Sequence, residues 1–144
     1  MSVGRLCIRE VDLADPDEAV QRAARRMLDR NVGCLVVLGS GGEPLGILTD
    51  RDVALRVVAE GRDGRATKVA EVMTRAPDAI HEDLPLEMAL SHMRAGPFRR
   101  LPVVNNDGKL IGLISLDDIL DLLAEEFREV GSLLRREGPR SLAD

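Results

Sequence analysis

The chain of 144 residues contains no Trp and no Tyr, and its aromatic residues are Phe98 and Phe127 alone. Unspecific binding of single-stranded nucleic acid, which uses aromatic stacking platforms, is therefore not expected. Cysteine is as scarce. Cys7 and Cys34 lie far apart and outside any metal-ligand spacing, so in a reducing compartment they read as free thiols, Cys34 within a buried strand. There is no block of Lys and Arg, and the net charge is −5 at pH 7, which argues against a nucleic-acid partner. No run approaches the ~20 apolar residues of a membrane span, and the first residues lack an apolar signal-peptide core. A cytoplasmic location is expected, with no membrane partner. The densest charged stretch, Asp117 to Glu129, is mostly acidic and reads as a solvated helix face.

What the chain does hold is aliphatic: 44% of its residues are apolar, enough for a core built without rings. It also holds an internal repeat. Displaced by 66 residues, Asp17 falls on Asp83, Ala23 on Ala89, Met27 on Met93, Leu35 on Leu101, Val37 on Val103, Gly42 on Gly108, Gly46 on Gly112 and Asp52 on Asp118. Thr49 meets Ser115, which keeps the hydroxyl.

Each copy spells the same order of elements. In the first, Asp15-Pro16-Asp17 opens a helix, and Val20, Ala23, Ala24, Met27 and Leu28 recur at helical spacing. Cys34 to Leu38 is a buried strand, residues 39–42 are turn chemistry, Pro44 to Leu48 is a second strand, and a helix runs from Asp50 to Glu60 and stops at Gly61. In the second, Leu86, Ala89, Leu90 and Met93 form the helical stripe, broken by Gly96-Pro97. Leu101 to Val104 and Lys109 to Ile114 are strands, and a longer helix follows from Leu116 to about Arg136. Thr67 to Met73 reads as a short helix before the second copy, and Gly138-Pro139 begins a polar, loose tail. Neither half is long enough to bury much surface alone. The fold expected is α/β (α+β), with two β-α-β-β-α units packed about a pseudo-twofold axis. The divisions are repeat 1 at 1–62, a linker at 63–66, repeat 2 at 67–126, and a helical extension with the tail at 127–144.

The candidate chemistry lies where the second strand of each unit meets the next helix. Gly46-Ile47-Leu48-Thr49-Asp50-Arg51-Asp52 and Gly112-Leu113-Ile114-Ser115-Leu116-Asp117-Asp118 share one pattern: glycine, two apolar residues, a hydroxyl residue, two variable residues, aspartate. Local capping explains it: Thr49 and Ser115 are good N-caps, and the Asp three residues on can reach back to the cap N–H. A ligand explains it too. A helix start and a hydroxyl suit phosphate, an Asp one turn inside can accept from a ribose diol, and the glycine would let the backbone approach the ligand.

These motifs, with Val72-Met73-Thr74 and Arg99-Arg100-Leu101-Pro102-Val103-Val104, resemble the CBS-domain family, named for cystathionine β-synthase, over about residues 7–126. The resemblance implies a non-catalytic regulatory module with two related clefts that take adenosine derivatives such as AMP, ADP, ATP, S-adenosylmethionine or dinucleotides, with no metal. It assigns the ribose to Asp52 and Asp118, and phosphate or ribose contacts to Thr49 and Ser115. With clefts shared between units, Thr49 and Asp52 pair with Ile80 and residues 98–100. Ser115 and Asp118 pair with Ala14 and residues 32–34. Pro102 and Cys34 complete the candidate set. With so few rings, a nucleobase would be gripped by aliphatic side chains.

The first unit departs from this pattern at its start. Cys7-Ile8 stands where the second has Met73-Thr74, Ala14 stands for Ile80, and Gly33-Cys34 for Arg99-Arg100. The cleft of Ser115 and Asp118 thus lacks an arginine, while that of Thr49 and Asp52 has Arg51, Arg99 and Arg100 as phosphate ligands, so the latter is the expected site for a charged nucleotide. The bland alternative for Arg99 and Arg100 is a solvated strand edge or an ion pair. His81 and His92 have no partner at metal-ligand spacing, and no nucleophile with a base is visible. A homodimer is expected through a stripe drawn from Val53, Val57, Val58, Ile119, Leu120, Leu122 and Leu123, some of which must belong to the intramolecular core, with a separate protein or a change of assembly as the output. The competing expectation is an interaction module with degenerate clefts. Replacing Asp52 by Ala is expected to weaken nucleotide binding with the fold largely intact.

Overall fold

A computed structural model describes residues 1–75, 79–96 and 98–136; the tail expected from Gly138-Pro139, and Pro97 of the predicted helix break, lie outside them. In chain order the elements are α1 (Val3–Leu6), β1 (Leu13–Ala14), α2 (Val20–Arg30), β2 (Cys34–Leu38), β3 (Pro44–Thr49), α3 (Asp50–Val53), α4 (Val69–Val72), β4 (Thr74–Arg75), β5 (Ile80–His81), α5 (Leu86–Ala95), β6 (Arg100–Val104), β7 (Leu110–Ser115) and α6 (Leu116–Arg136). One sheet has the order β1-β2-β3-β4, the other β5-β6-β7.

The duplication extends to single hydrogen bonds. Both hairpins carry a register shift, at Val37/Leu38 and Val103/Val104. The N–H of Asp50 donates to the Gly33 carbonyl at 3.0 Å, and that of Leu116 to the Arg99 carbonyl at 2.8 Å. Gly42 and Gly108 close the hairpins with φ of 81° and 72°, a conformation that side chains other than glycine rarely adopt.

The two cores do not follow the sequence repeat. Leu35, Val37 and Leu48 pack with Val20, Ala23 and Met27 and with Val69, Val72 and Met73 from the start of the second copy. Leu101, Val103 and Ile114 pack with Ala89, Met93 and Ile119 and with Val3 and Cys7 from the start of the first. The leading segments are thus exchanged. β4 pairs with β3 in the first sheet, and Ile8 bridges Leu113 in the second. The exchange explains the motif glycines. A Cβ on Gly46 would lie 2.6 Å from the Thr74 carbonyl oxygen, and one on Gly112 would lie 2.7 Å from Cys7 Sγ. The close approach is made by the exchanged segment rather than by the ligand expected from the sequence.

Two helices differ from expectation. α2 starts at Val20, because Asp15 and Glu18 turn the chain first: Asp15 Oδ1 accepts from the Asp17 N–H and Glu18 Oε1 from the Asp15 N–H. The free N–H groups of α2 are then met by the carbonyls of Thr67 and Gly64, so a residue expected only to link the repeats and one expected to open the short helix together cap α2. The helix expected over 50–60 is α-helical to Val53 and continues as a wider π turn over Ala54–Val58, a form common beside functional sites. Val57 and Ile119 are buried in the two cores, so they cannot belong to the dimer stripe assigned to them.

Candidate functional site

β3 ends at Thr49, and its hydroxyl oxygen accepts from the Asp52 N–H at 3.1 Å while Asp52 Oδ2 accepts from the Thr49 N–H at 3.0 Å. This is the capping box read from the sequence. Asp52 is only 8% exposed. The exchanged segment brings it a further donor, the Thr74 hydroxyl at 3.1 Å from Oδ1. Arg56 Nε stands 3.8 Å from Oδ1, with its Nη1 donating to the carbonyls of Val72 and Met73 at 3.0 Å each. A carboxylate has about four acceptor positions, so Asp52 keeps capacity for a ligand hydroxyl.

These groups line a cleft of about 580 Å³ bounded by Ile47, Thr49, Asp50, Arg51, Asp52, Arg56, Thr74, Phe98, Arg99 and Arg100, a volume in the range of small-molecule sites. The expected Thr49, Arg51, Asp52, Arg99 and Arg100 come together there, with residues from both units. Ile80 is 3% exposed in the second core, and Pro102 is buried in β6 opposite Leu113; neither is among the lining residues. Sequence reasoning missed Arg56 and Thr74. Thr74 stood in a motif already noted, but its position depends on the segment exchange. Arg56 stood one helical turn beyond Asp52, an i,i+4 spacing that could have drawn attention to it.

The model of the CBS domain matches residues 3–59 and again residues 69–125. The chain belongs to the CBS-domain family. The uncharacterized protein MK0525 of Methanopyrus kandleri is 32% identical over 122 residues, covering 85% of this chain and 62% of that protein. This chain thus spans less than two thirds of that relative's length. The CBS domain-containing protein YhcV of Bacillus subtilis is 39% identical over 110 residues, 76% of each chain. The solved CBS domain pair of protein MJ0100, in complex with 5′-methylthioadenosine and S-adenosyl-L-methionine, superposes with a TM-score of 0.74 over 85% of this chain and 99% of that one. At 24% identity it shares the fold.

The second CBS repeat keeps the frame of the site but little of its chemistry. Ser115 Oγ lies 2.5 Å from Asp118 Oδ2 and also accepts from the Asp118 N–H at 3.1 Å. Hydroxyl and acid are therefore bonded to one another within the cap. Ala14 is buried in the first core, and Cys34 is half-buried at the start of β2 rather than fully inside it. Burial pushes the Cys34 thiol up to about 11, the nearby Arg100 opposing this and Asp52 adding to it, so the thiol is neutral at pH 7. His81 pairs with Asn106, Nε2 to Oδ1 at 2.6 Å. Among the described residues, no three His, Cys, Asp or Glu side chains cluster as a metal site, and no helix is long and apolar enough to cross a membrane.

Proposed function

We propose that this tandem CBS pair is a regulatory module that binds one adenine nucleotide, AMP, ADP or ATP, in the cleft of Thr49 and Asp52. It acts by binding rather than by catalysis, as a cytoplasmic homodimer that signals to a separate protein. The observation that carries this reading is the convergence of Arg51, Arg56, Arg99 and Arg100 on one cleft that also holds the buried Asp52. Guanidinium groups recognise phosphate through charge-assisted, often bidentate hydrogen bonds. The spare acceptor capacity of Asp52 suits a ribose hydroxyl, and Ile47 and Phe98 offer apolar surface for a base. Adenosyl ligands in the MJ0100 pair motivate the choice of adenosine. With Asp50 and Asp52 the acids present, arginine outnumbers acid in the lining. The cleft should therefore prefer polyphosphates to the sulfonium cation of S-adenosylmethionine.

A second reading, an interaction module without a physiological nucleotide, is favoured by the other cleft, where Gly33 and Cys34 replace the arginines. Thermal unfolding with AMP, ADP, ATP, NAD, NADH and S-adenosylmethionine in excess separates the two. A nucleotide at about 100 times its Kd adds roughly 2.7 kcal/mol, a rise in Tm of roughly 5–10 °C for this size. A rise largest with ATP or ADP supports the sensor; no rise with any compound supports the interaction module.

A further inference from the structure

We propose that α6 pairs with α6 of a second copy in an antiparallel, coiled-coil-like contact. This builds on the homodimer reading above and gives it a different seam. α6 has 21 residues, a length of roughly 30 Å. Its first turns belong to the body, with Leu116 and Ile119 packed in the second core. Beyond them an apolar stripe continues that no other described residue covers: Leu120, Leu123, Phe127, Val130 and Leu134 are all exposed, Phe127 at 76%. Their spacing alternates three and four residues, the a/d pattern of a helix that seats its stripe on another helix. An exposed stripe of this kind is not a normal feature of a monomer's surface.

The charges select the occupant and its direction. From Asp117 to Glu126 the helix carries Asp117, Asp118, Asp121, Glu125 and Glu126 and no cation. From Phe127 to Arg136 it carries Arg128, Arg135 and Arg136 against the single acid Glu129. A parallel copy would set acid beside acid and arginine beside arginine. An antiparallel copy sets the acidic half along the basic half. It also opposes the two helix dipoles and closes by a twofold axis, so the same surface serves both sides. With a positions facing d positions, Leu123 meets the partner's Leu134 and Phe127 meets the partner's Val130. At the same register Asp121 is level with the partner's Arg136 and Arg128 with the partner's Glu129. The two globular bodies then lie at opposite ends of the paired helices.

The test is sedimentation velocity of the full chain and its Phe127→Glu variant, with disulfide trapping on a Cys34→Ser background. The wild type is expected at twice its 15.7 kDa mass. Phe127→Glu is expected to dimerise at least 100-fold more weakly while keeping its circular dichroism, since Phe127 stands clear of both cores. On mild oxidation a mixture of Leu123→Cys and Leu134→Cys chains is expected to form the mixed disulfide, and neither variant alone to cross-link. A monomeric wild type overturns this contact and the homodimer with it. A Phe127→Glu chain that still dimerises overturns the seam alone, and a Leu123→Cys chain that cross-links to itself overturns the antiparallel direction. Nucleotide-induced thermal shifts of Phe127→Glu report on the cleft independently.

Discussion

The two repeats carry their hydroxyl-to-Asp motifs on one backbone, and five matched positions set their polar chemistry apart. Around Asp52 stand Arg51, Arg56, Thr74, Arg99 and Arg100; displaced by 66 residues, the same places around Asp118 hold Asp117, Leu122, Ile8, Gly33 and Cys34. Four guanidinium groups and a hydroxyl are replaced by an acid, two aliphatic side chains, a glycine and a thiol that burial keeps protonated. The strands, hairpin turns and hydroxyl-to-Asp cap tolerate all of this, because backbone hydrogen bonds and the capping pair hold them. A duplicated fold can thus keep its frame twice and a given set of charged side chains once. Frame and cleft chemistry are separable because backbone hydrogen bonds and the cap carry the first, and the side chains at the varied positions carry most of the second.

The largest effect should follow from reversing the charge that sets this cleft apart. Arg99 is exposed and Arg100 half-buried at the start of β6, so Arg99→Glu with Arg100→Glu leaves the cores untouched. Each lost charge-assisted contact is worth about 1.5–3 kcal/mol, so calorimetric titration with ATP should show at least 100-fold weaker binding. Unchanged affinity would remove the phosphates from this end of the cleft.

The shared Asp gives an intermediate effect. Asp52→Ala should lower stability as well as weaken nucleotide binding. The change strips partners from the Thr49 N–H, the Thr74 hydroxyl and Arg56 at a buried place, and should cost about 2–3 kcal/mol. Among the described residues, Asp118→Ala removes a partner only from Ser115, and it should cost about 1 kcal/mol, as for loss of a cap. Urea unfolding of the two variants tests the order; equal losses would mean that the exchanged Thr74 contributes nothing to the fold.

Much of this was legible in the sequence. The repeat, the hairpins and the long final helix follow from apolar periodicity and turn residues, and the convergence of Thr49, Asp52, Arg99 and Arg100 was implied by the resemblance to the CBS-domain family. The segment exchange was not legible. Val3 and Val69 are equivalent apolar residues at equivalent places, and nothing in local pattern says which core each one enters. Misreading the exchange hid Thr74 from the site and assigned the motif glycines to a ligand. The start of α2 was misplaced for a similar reason: its N-terminal donors are met by backbone carbonyls of residues 64 and 67, a long-range contact that leaves no side-chain signature.

The smallest effect concerns acid stability, and it too should divide the halves. Glu18 is tied to Arg26 by hydrogen bonds of 2.6 and 2.8 Å, while the second repeat has Leu84 and His92 at these places. The Arg26 guanidinium holds the Glu18 carboxyl below its usual 4.5 against the opposing effect of burial. A carboxyl lowered on folding stabilises the native state above its unfolded pKa, and this is lost as the pH falls through the lower folded value. Glu18→Gln should therefore cost about 1–2 kcal/mol at pH 7, and the difference from wild type should shrink below pH 4.5. Leu84→Ala should instead cost a similar amount at every pH, because what it removes is packing against the second core. Thermal unfolding of the two variants across this range checks the contrast. A Glu18→Gln deficit that persists undiminished in acid would show that the side chain holds the turn before α2 by shape and neutral hydrogen bonding, and that the two halves meet acid alike.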